Sequence, residues 1–275
     1  MDGRELRLGR ILSSTGRALI VPIDQGLTSG PLPGLGHPRS AVETILEARP
    51  DAMIMHRGPA RALWPARSPS ALIVHLSGGS ELRGRPELKT QVCRVEDAIR
   101  LGADAVSVHI SLGTTHDAEA LRHLSDAASS CSDWGMPLLA MMYVYGEQAK
   151  DVQATSHAAR VAAELGADVV KLSYPGDPRE FERLVDGCFV PVVVAGGPPD
   201  NNGWPLLQTI EEAIRLGAAG ACVGRNVYQH RDPGAMVQAL RAVVHSGRSA
   251  RDAYDTYIAP GDGRLAESLI SDELV

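Results

Sequence analysis

Eight short apolar runs punctuate the chain: ALIVPID (18–24), DAMIMH (51–56), ALIVHLS (71–77), AVSVHIS (105–111), PLLAMMYV (137–144), DVVKLSY (168–174), PVVVAGG (191–197) and GACVGR (220–225). They are rich in Val, Ile and Leu, and most do not alternate with polar residues. A strand wetted on one face alternates; a strand covered on both faces does not, so these runs read as parallel strands sheathed by helices. The segments between them are amphipathic. SAVETILEA begins at Ser40, an expected N-cap. RVEDAIRLG, SHAARVAAELG and TIEEAIRLG each end in Leu-Gly, an expected helix stop. LGADAVSV (101–108), LGADVVKL (165–172) and LGAAGACV (216–223) repeat one helix–glycine–strand joint, the mark of a stacked βα architecture. Eight βα units in about 250 residues predict an α/β fold, a single-domain (β/α)8 TIM barrel. The other arrangement, an open doubly wound sheet, usually has about five to seven strands. No Gly-x-Gly-x-x-Gly follows the first run, which disfavours a dinucleotide site.

Composition narrows the function. The 275 residues carry a net charge of -6 and only 4% aromatics, which argues against nucleic acid as a partner. No apolar run reaches membrane-spanning length, and the segment MDGRELRLGRILSS lacks the apolar stretch of a signal peptide. Cys93, Cys131, Cys188 and Cys222 include no Cys-x-x-Cys pair, so they read as reduced thiols in a cytoplasmic protein. The expected division is a barrel domain over residues 1–258 and a polar tail over 259–275. The Pro- and Gly-rich loop from Thr28 to Arg39 should lie over the barrel mouth.

In such a barrel the active site lies at the C-terminal ends of the strands. Lys171 stands out, because it interrupts the sixth run and is one of only three lysines in the chain. Burial lowers an ammonium's pKa, and a neutral amine attacks ketones. Lys171 therefore reads as a Schiff-base lysine, or else as the structural ion-pair partner of Asp24. Tyr143 shares a strand face with Met141 and Leu139; it is a proton shuttle or a packed core residue. Asp24 ends the first strand as a base or as the counter-ion of Lys171. Gly196-Gly197 and Gly224-Arg225 end strands seven and eight, the usual phosphate-binding position of a barrel, and tight turns are the plainer account of them. A rival set is His56, His75 and His109, ending three successive strands, which could hold zinc. Parity aligns His75 with Ile73 but His109 with Ser107 and Ser111.

Across residues 18 to about 247 the chain resembles the archaeal-type class I aldolases. The matching stretches are VPIDQG (21–26), HLSGGS (75–80), LGADAVSVHISLG (101–113), WGMPLLAMMY (134–143), AARVAAELGADVVKLSYPGD (158–177), PVVVAGGPP (191–199) and AGACVGRNVYQHRDP (219–233). The family includes class I fructose-bisphosphate aldolase and 2-amino-3,7-dideoxy-D-threo-hept-6-ulosonate synthase, and the second branch is the more similar. The resemblance implies Lys171 as the Schiff-base lysine, Tyr143 as proton donor and acceptor, and Asp24 as their acidic partner. It implies phosphate held by Gly196, Gly197, Gly224 and Arg225, no metal and no cofactor, and a ring-shaped homo-oligomer such as a decamer. The expected substrates are a phosphorylated ketose or dihydroxyacetone phosphate and an aldehyde. Branches of the family use aspartate semialdehyde in specialised biosynthesis. Two departures bear on specificity. The family's usual Asp-His-Gly is Asp24-Gln25-Gly26 here, and its Tyr-Pro-Arg-Gly is Tyr143-Val144-Tyr145-Gly146, which removes a fixed cation from the mouth.

Overall fold

A computed structural model describes residues 2–84, 87–200 and 202–259. The tail expected over 259–275 lies outside the described residues, apart from Ala259. The eight apolar runs become eight parallel strands: β1 (Ala18–Pro22), β2 (Ala52–Met55), β3 (Ala71–His75), β4 (Ala105–Leu112), β5 (Leu138–Val144), β6 (Val169–Ser173), β7 (Val192–Ala195) and β8 (Gly220–Cys222). Each pairs with its neighbours in sequence, and β8 returns to β1, so the sheet closes into a barrel. Closure brings two backbones unusually near. Gly220 has φ of 141°, and a Cβ there would stand 1.9 Å from the Ala18 carbonyl oxygen, so only glycine fits at this seam.

Successive residues on each strand face opposite ways. Leu19, Val21, Met53 and Val74 belong to the layer between strands and helices. Ala18, Ile20, Ala52, Ile54, Ala71, Ile73, Ala105, Leu139, Met141, Val169, Val193 and Cys222 fill the interior. Four of these are alanines near the strand starts, and the space they leave is filled from below by Ile11, with Leu8 and Leu12 beside it. The N-terminal segment thus plugs the bottom of the barrel and leaves the opposite end open.

The Leu-Gly stops hold. Gly102, Gly166 and Gly217 follow their helices with φ of 78°, 99° and 99°, a conformation that costs glycine little. The helix after the first strand departs from expectation: it runs Pro38–Glu47 with His37 as its N-cap, not Ser40. Pro38 has φ already set for a helix and no N–H to leave unpaired, so it takes the first turn. The expected loop is trimmed at both ends: Thr28 and Ser29 belong to the short helix Gln25–Ser29, and Pro38 and Arg39 open the longer one. A hairpin of two-residue strands, Ser77–Gly78 with Thr90–Gln91, rises beyond β3.

A repeated bracket ties the strands at the closed end. Asp51, Asp104 and Asp168 each precede an even-numbered strand. Each donates its backbone N–H to the carbonyl of Leu19, Leu72 or Leu138 and accepts the same leucine's N–H on its carboxylate, at 2.6, 3.0 and 2.8 Å. Each carboxylate also meets a cationic or imidazole partner: His245 at 2.7 Å, Arg10 at 2.6 Å, and Arg4. At the fourth pair Ala219 keeps the backbone bond to Val192 but carries no carboxylate.

Candidate active site

The open end holds a cavity of about 340 Å³ whose wall includes Lys171, Tyr143, Asp24 and Arg225. Four of the predicted site residues, drawn from β6, β5, the end of β1 and the turn after β8, therefore share one space. Gly196 and Gly197 line an adjoining hollow of about 360 Å³.

Lys171 points into the barrel and is 5% exposed. Met141 Sδ lies 3.9 Å from its Nζ. Burial alone would drive the ammonium towards the neutral amine. Cys222, Tyr143 and Asp24 oppose that, and the balance raises its pKa above the ordinary lysine value. The expectation that burial lowers it is thus corrected: the surrounding acidic groups outweigh desolvation. Cys222, which inward parity on β8 could have marked, is itself buried, and burial pushes its thiol up to about 11 against the pull of Lys171.

Tyr143 shares the cavity with Lys171 and helps to hold its ammonium, and its ring stacks on His109 at 4.5 Å between centroids. Asp24 has Oδ2 3.7 Å from His75 Nε2, while His75 Nδ1 pairs with Ser107 Oγ at 2.8 Å. Burial brings the His75 pKa down to about 4 against the pull of Asp24, so the ring is neutral, with Nε2 just beyond hydrogen-bond distance of the Asp24 carboxylate. Asp24 Oδ1, His56 Nδ1 and His109 Nε2 are buried without a protein partner. A buried polar atom left unpaired costs about 1–3 kcal/mol, and three together at the mouth form a surface suited to substrate hydroxyl and carbonyl groups.

The three histidines do gather, since His56 and His75 lie 5.3 Å apart and His109 shares their cavity. Among the described residues, however, no three of His, Cys, Asp or Glu are placed to hold a metal ion. Sequence parity left this open because it does not show that Ser107 sits level with His75 across the β3–β4 register and takes up its Nδ1.

The two glycine loops are linked by a residue that sequence reasoning missed. Asn226, 2% exposed, donates from Nδ2 to the Gly196 and Pro198 carbonyls at 2.9 Å each. It accepts the Asp200 N–H at 2.7 Å. Arg225 donates to the Gly197 carbonyl at 3.1 Å. Gly224 packs so close to β1 that a Cβ would come 2.5 Å from the Pro22 oxygen. Of the two departures, Gln25 accepts from the Tyr228 hydroxyl at 3.2 Å, and Tyr145 lies in the cavity wall.

Known proteins resemble this chain over most of its length. Residues 18–230 match the family model "DeoC/LacD family aldolase". The 2-amino-3,7-dideoxy-D-threo-hept-6-ulosonate synthase of Halobacterium salinarum is 39% identical over 88% of this chain and 92% of its own. The 2-amino-4,5-dihydroxy-6-oxo-7-(phosphonooxy)heptanoate synthase of Streptomyces griseus is 38% identical over 88% and 90%. An archaeal fructose-1,6-bisphosphate aldolase, solved with its catalytic lysine bound to the carbinolamine intermediate, superposes with a TM-score of 0.81 at 28% identity over 88% of this chain and 99% of that one.

Proposed function

The chain belongs to the DeoC/LacD aldolase family and is a class I, Schiff-base aldolase, and we propose that Lys171 is its imine-forming residue, with Tyr143 and Asp24 as its proton carriers. The observation that carries this is the buried lysine in the barrel mouth with a phenol and a carboxylate in the same cavity.

The resting ammonium passes its proton to a neighbour, and the free amine adds to the donor ketone. The carbinolamine loses water to give an iminium. This withdraws electrons from the adjacent carbon, which loses a proton and becomes the enamine carbon. That carbon adds to the aldehyde carbonyl, and the new alkoxide takes a proton. Tyr143 and Asp24, which line the same cavity, are the groups assigned these transfers as general acid and base. Water then hydrolyses the new iminium and frees Lys171.

The donor in this reading is a phosphorylated ketose or dihydroxyacetone phosphate, with its phosphate held at Arg225 and the backbone of Gly196, Gly197 and Gly224. The product named for the Streptomyces griseus relative has a ketone at C6 and a hydroxyl at C4. Cleavage between C4 and C5 divides it into dihydroxyacetone phosphate and a four-carbon amino-acid aldehyde. The proposed reaction is that aldol addition or the corresponding transaldol exchange. Among the described residues no helix is long and apolar enough to cross a membrane, and the four cysteines are free. A cytoplasmic setting and a ring-shaped homo-oligomer complete the proposal.

The test is borohydride reduction in the presence of dihydroxyacetone phosphate, followed by peptide mapping. A single adduct on Lys171, lost in Lys171→Met together with turnover while the fold is retained, is expected. An adduct confined to Lys89 or Lys150, or full activity in Lys171→Met, would overturn the assignment. Efficient cleavage of fructose bisphosphate without any amino-acid aldehyde would move the substrate to the fructose-bisphosphate branch.

A further inference from the structure

We propose that Lys89 selects the acceptor, by binding a carboxylate on the aldehyde that the Lys171 enamine attacks. The proposal rests on the aldolase reading above and adds to it a specificity residue.

Lys89 lies beside the small hairpin beyond β3, outside the eight apolar runs. The hairpin pairs Ser77 with Gln91 and Gly78 with Thr90. The return arm presses on Gly79, where a Cβ would meet the Leu88 carbonyl oxygen at 2.3 Å and Lys89 Cδ at 3.1 Å. The glycine therefore lets the lysine stem lie flat against the mouth. The ammonium donates to Thr28 Oγ1 at 3.3 Å, so it is steered by the helix Gln25–Ser29 that follows Asp24.

This position is a partition. Lys89 belongs to the wall of the Lys171 cavity and also to that of a second cavity of about 370 Å³, which His109 and Ser111 share. An acceptor with its aldehyde at the Lys171 enamine would extend past His109 towards this second space, and Lys89 stands where the two meet. The half-buried ammonium is partly stripped of water, and burial lowers its pKa against the pull of Asp24, Glu81 and Glu87. A charge-assisted hydrogen bond gains most in that environment.

The surrounding charge favours a carboxylate over a phosphate. Glu87 and Glu119 line the second cavity, and Glu81 lines the first. A phosphate dianion facing one ammonium would be repelled by these carboxylates. An amino-acid zwitterion offers them an ammonium while giving its carboxylate to Lys89.

The test uses Lys89→Met, which keeps the stem and removes the charge. Steady-state kinetics with dihydroxyacetone phosphate would be run on three acceptors: aspartate 4-semialdehyde, D-glyceraldehyde 3-phosphate and propanal. The expected result is a KM for aspartate 4-semialdehyde raised about tenfold or more, with the KM for propanal and for the donor within about twofold. Lys89→Arg should recover part of the loss. A second measurement is independent of turnover. Calorimetric titration with L-homoserine, the alcohol corresponding to the semialdehyde, should show binding to the wild type that weakens by a similar factor in Lys89→Met. Equal losses on all three acceptors, a rise confined to the donor KM, or a larger effect on glyceraldehyde 3-phosphate would each overturn the proposal, as would unchanged homoserine binding. Absence of a borohydride adduct on Lys171 would instead refute the aldolase site, and the homoserine comparison would still judge Lys89.

Discussion

Asn226→Ala separates scaffolding from chemistry at the mouth. The side chain is buried and makes three hydrogen bonds to the loop after β7: two to the carbonyls of Gly196 and Pro198 and one from the Asp200 N–H. A typical intramolecular hydrogen bond contributes about 1 kcal/mol net, so the truncation should cost about 3 kcal/mol. In a domain of this size 1 kcal/mol moves Tm by roughly 2–4 °C, giving an expected fall of about 6–12 °C. The kinetic consequence is more specific. The glycine loop would lose its tie to the turn that carries Arg225, so KM for dihydroxyacetone phosphate should rise about tenfold while the rate of imine formation at saturation stays near the wild-type value. Unphosphorylated dihydroxyacetone should be used as before. Thermal melts and borohydride-trapping kinetics over a range of donor concentrations read both quantities. Loss of stability with an unchanged donor KM would refute the view that this loop binds the anion. An unchanged Tm would refute the energetic value given to the three bonds. The double variant Asn226→Ala, Arg225→Ala should lose less than the product of the single effects, because both residues act on one loop.

The other predictions concern charge. Arg225→Ala should raise KM for phosphorylated donor well above any change for dihydroxyacetone, and equal effects on the two would remove Arg225 from the phosphate site. The His75 pKa is lowered to about 4, so between pH 6.5 and 4 the unfolded chain binds a proton at this position that the folded chain refuses. Stability is then fully present above pH 6.5 and falls on acidification through that window, by up to about 3 kcal/mol from this residue. His75→Gln should reduce the slope of stability against pH by about one proton, measured by urea unfolding at pH 7, 6 and 5. An unaltered slope would show that the ring is not buried neutral.

The parts of this molecule that were legible in sequence are those whose signal is local. A strand buried on both faces announces itself in six to eight consecutive residues, and all eight did. A lysine among valines is conspicuous for the same reason: the free-energy cost of its burial demands a compensating partner. What could not be read depends on register and on chain reversal. Asn226 follows Arg225 in sequence, but its value lies in carbonyls some thirty positions away. Lys89 sits in a polar stretch, and only the hairpin turns it towards the mouth. The N-cap assigned to Ser40 failed because Pro38, two residues earlier, begins the helix more readily. The effect of burial on Lys171 could be anticipated in kind but not in outcome, since Cys222 and Tyr143 reach it from two other strands.

The aspartate brackets at the closed end give the ring an uneven mechanical character. Three neighbouring pairs of strands are latched from below: β1 with β2, β3 with β4, and β5 with β6. Asp24 follows the first doublet's opening strand, His75 and Ser107 stand on the second, and Tyr143 and Lys171 stand on the third. The fourth doublet, β7 with β8, has Ala219 where the latch would be, and both glycine loops spring from it. It is gripped from above by Asn226. The groups that handle protons and bonds are thus clamped by the protein's own foundations, whatever the mouth contains. The groups proposed to hold the anion hang from the one quarter without a side-chain latch, so an anion spanning the two loops would complete the fastening of its own quarter.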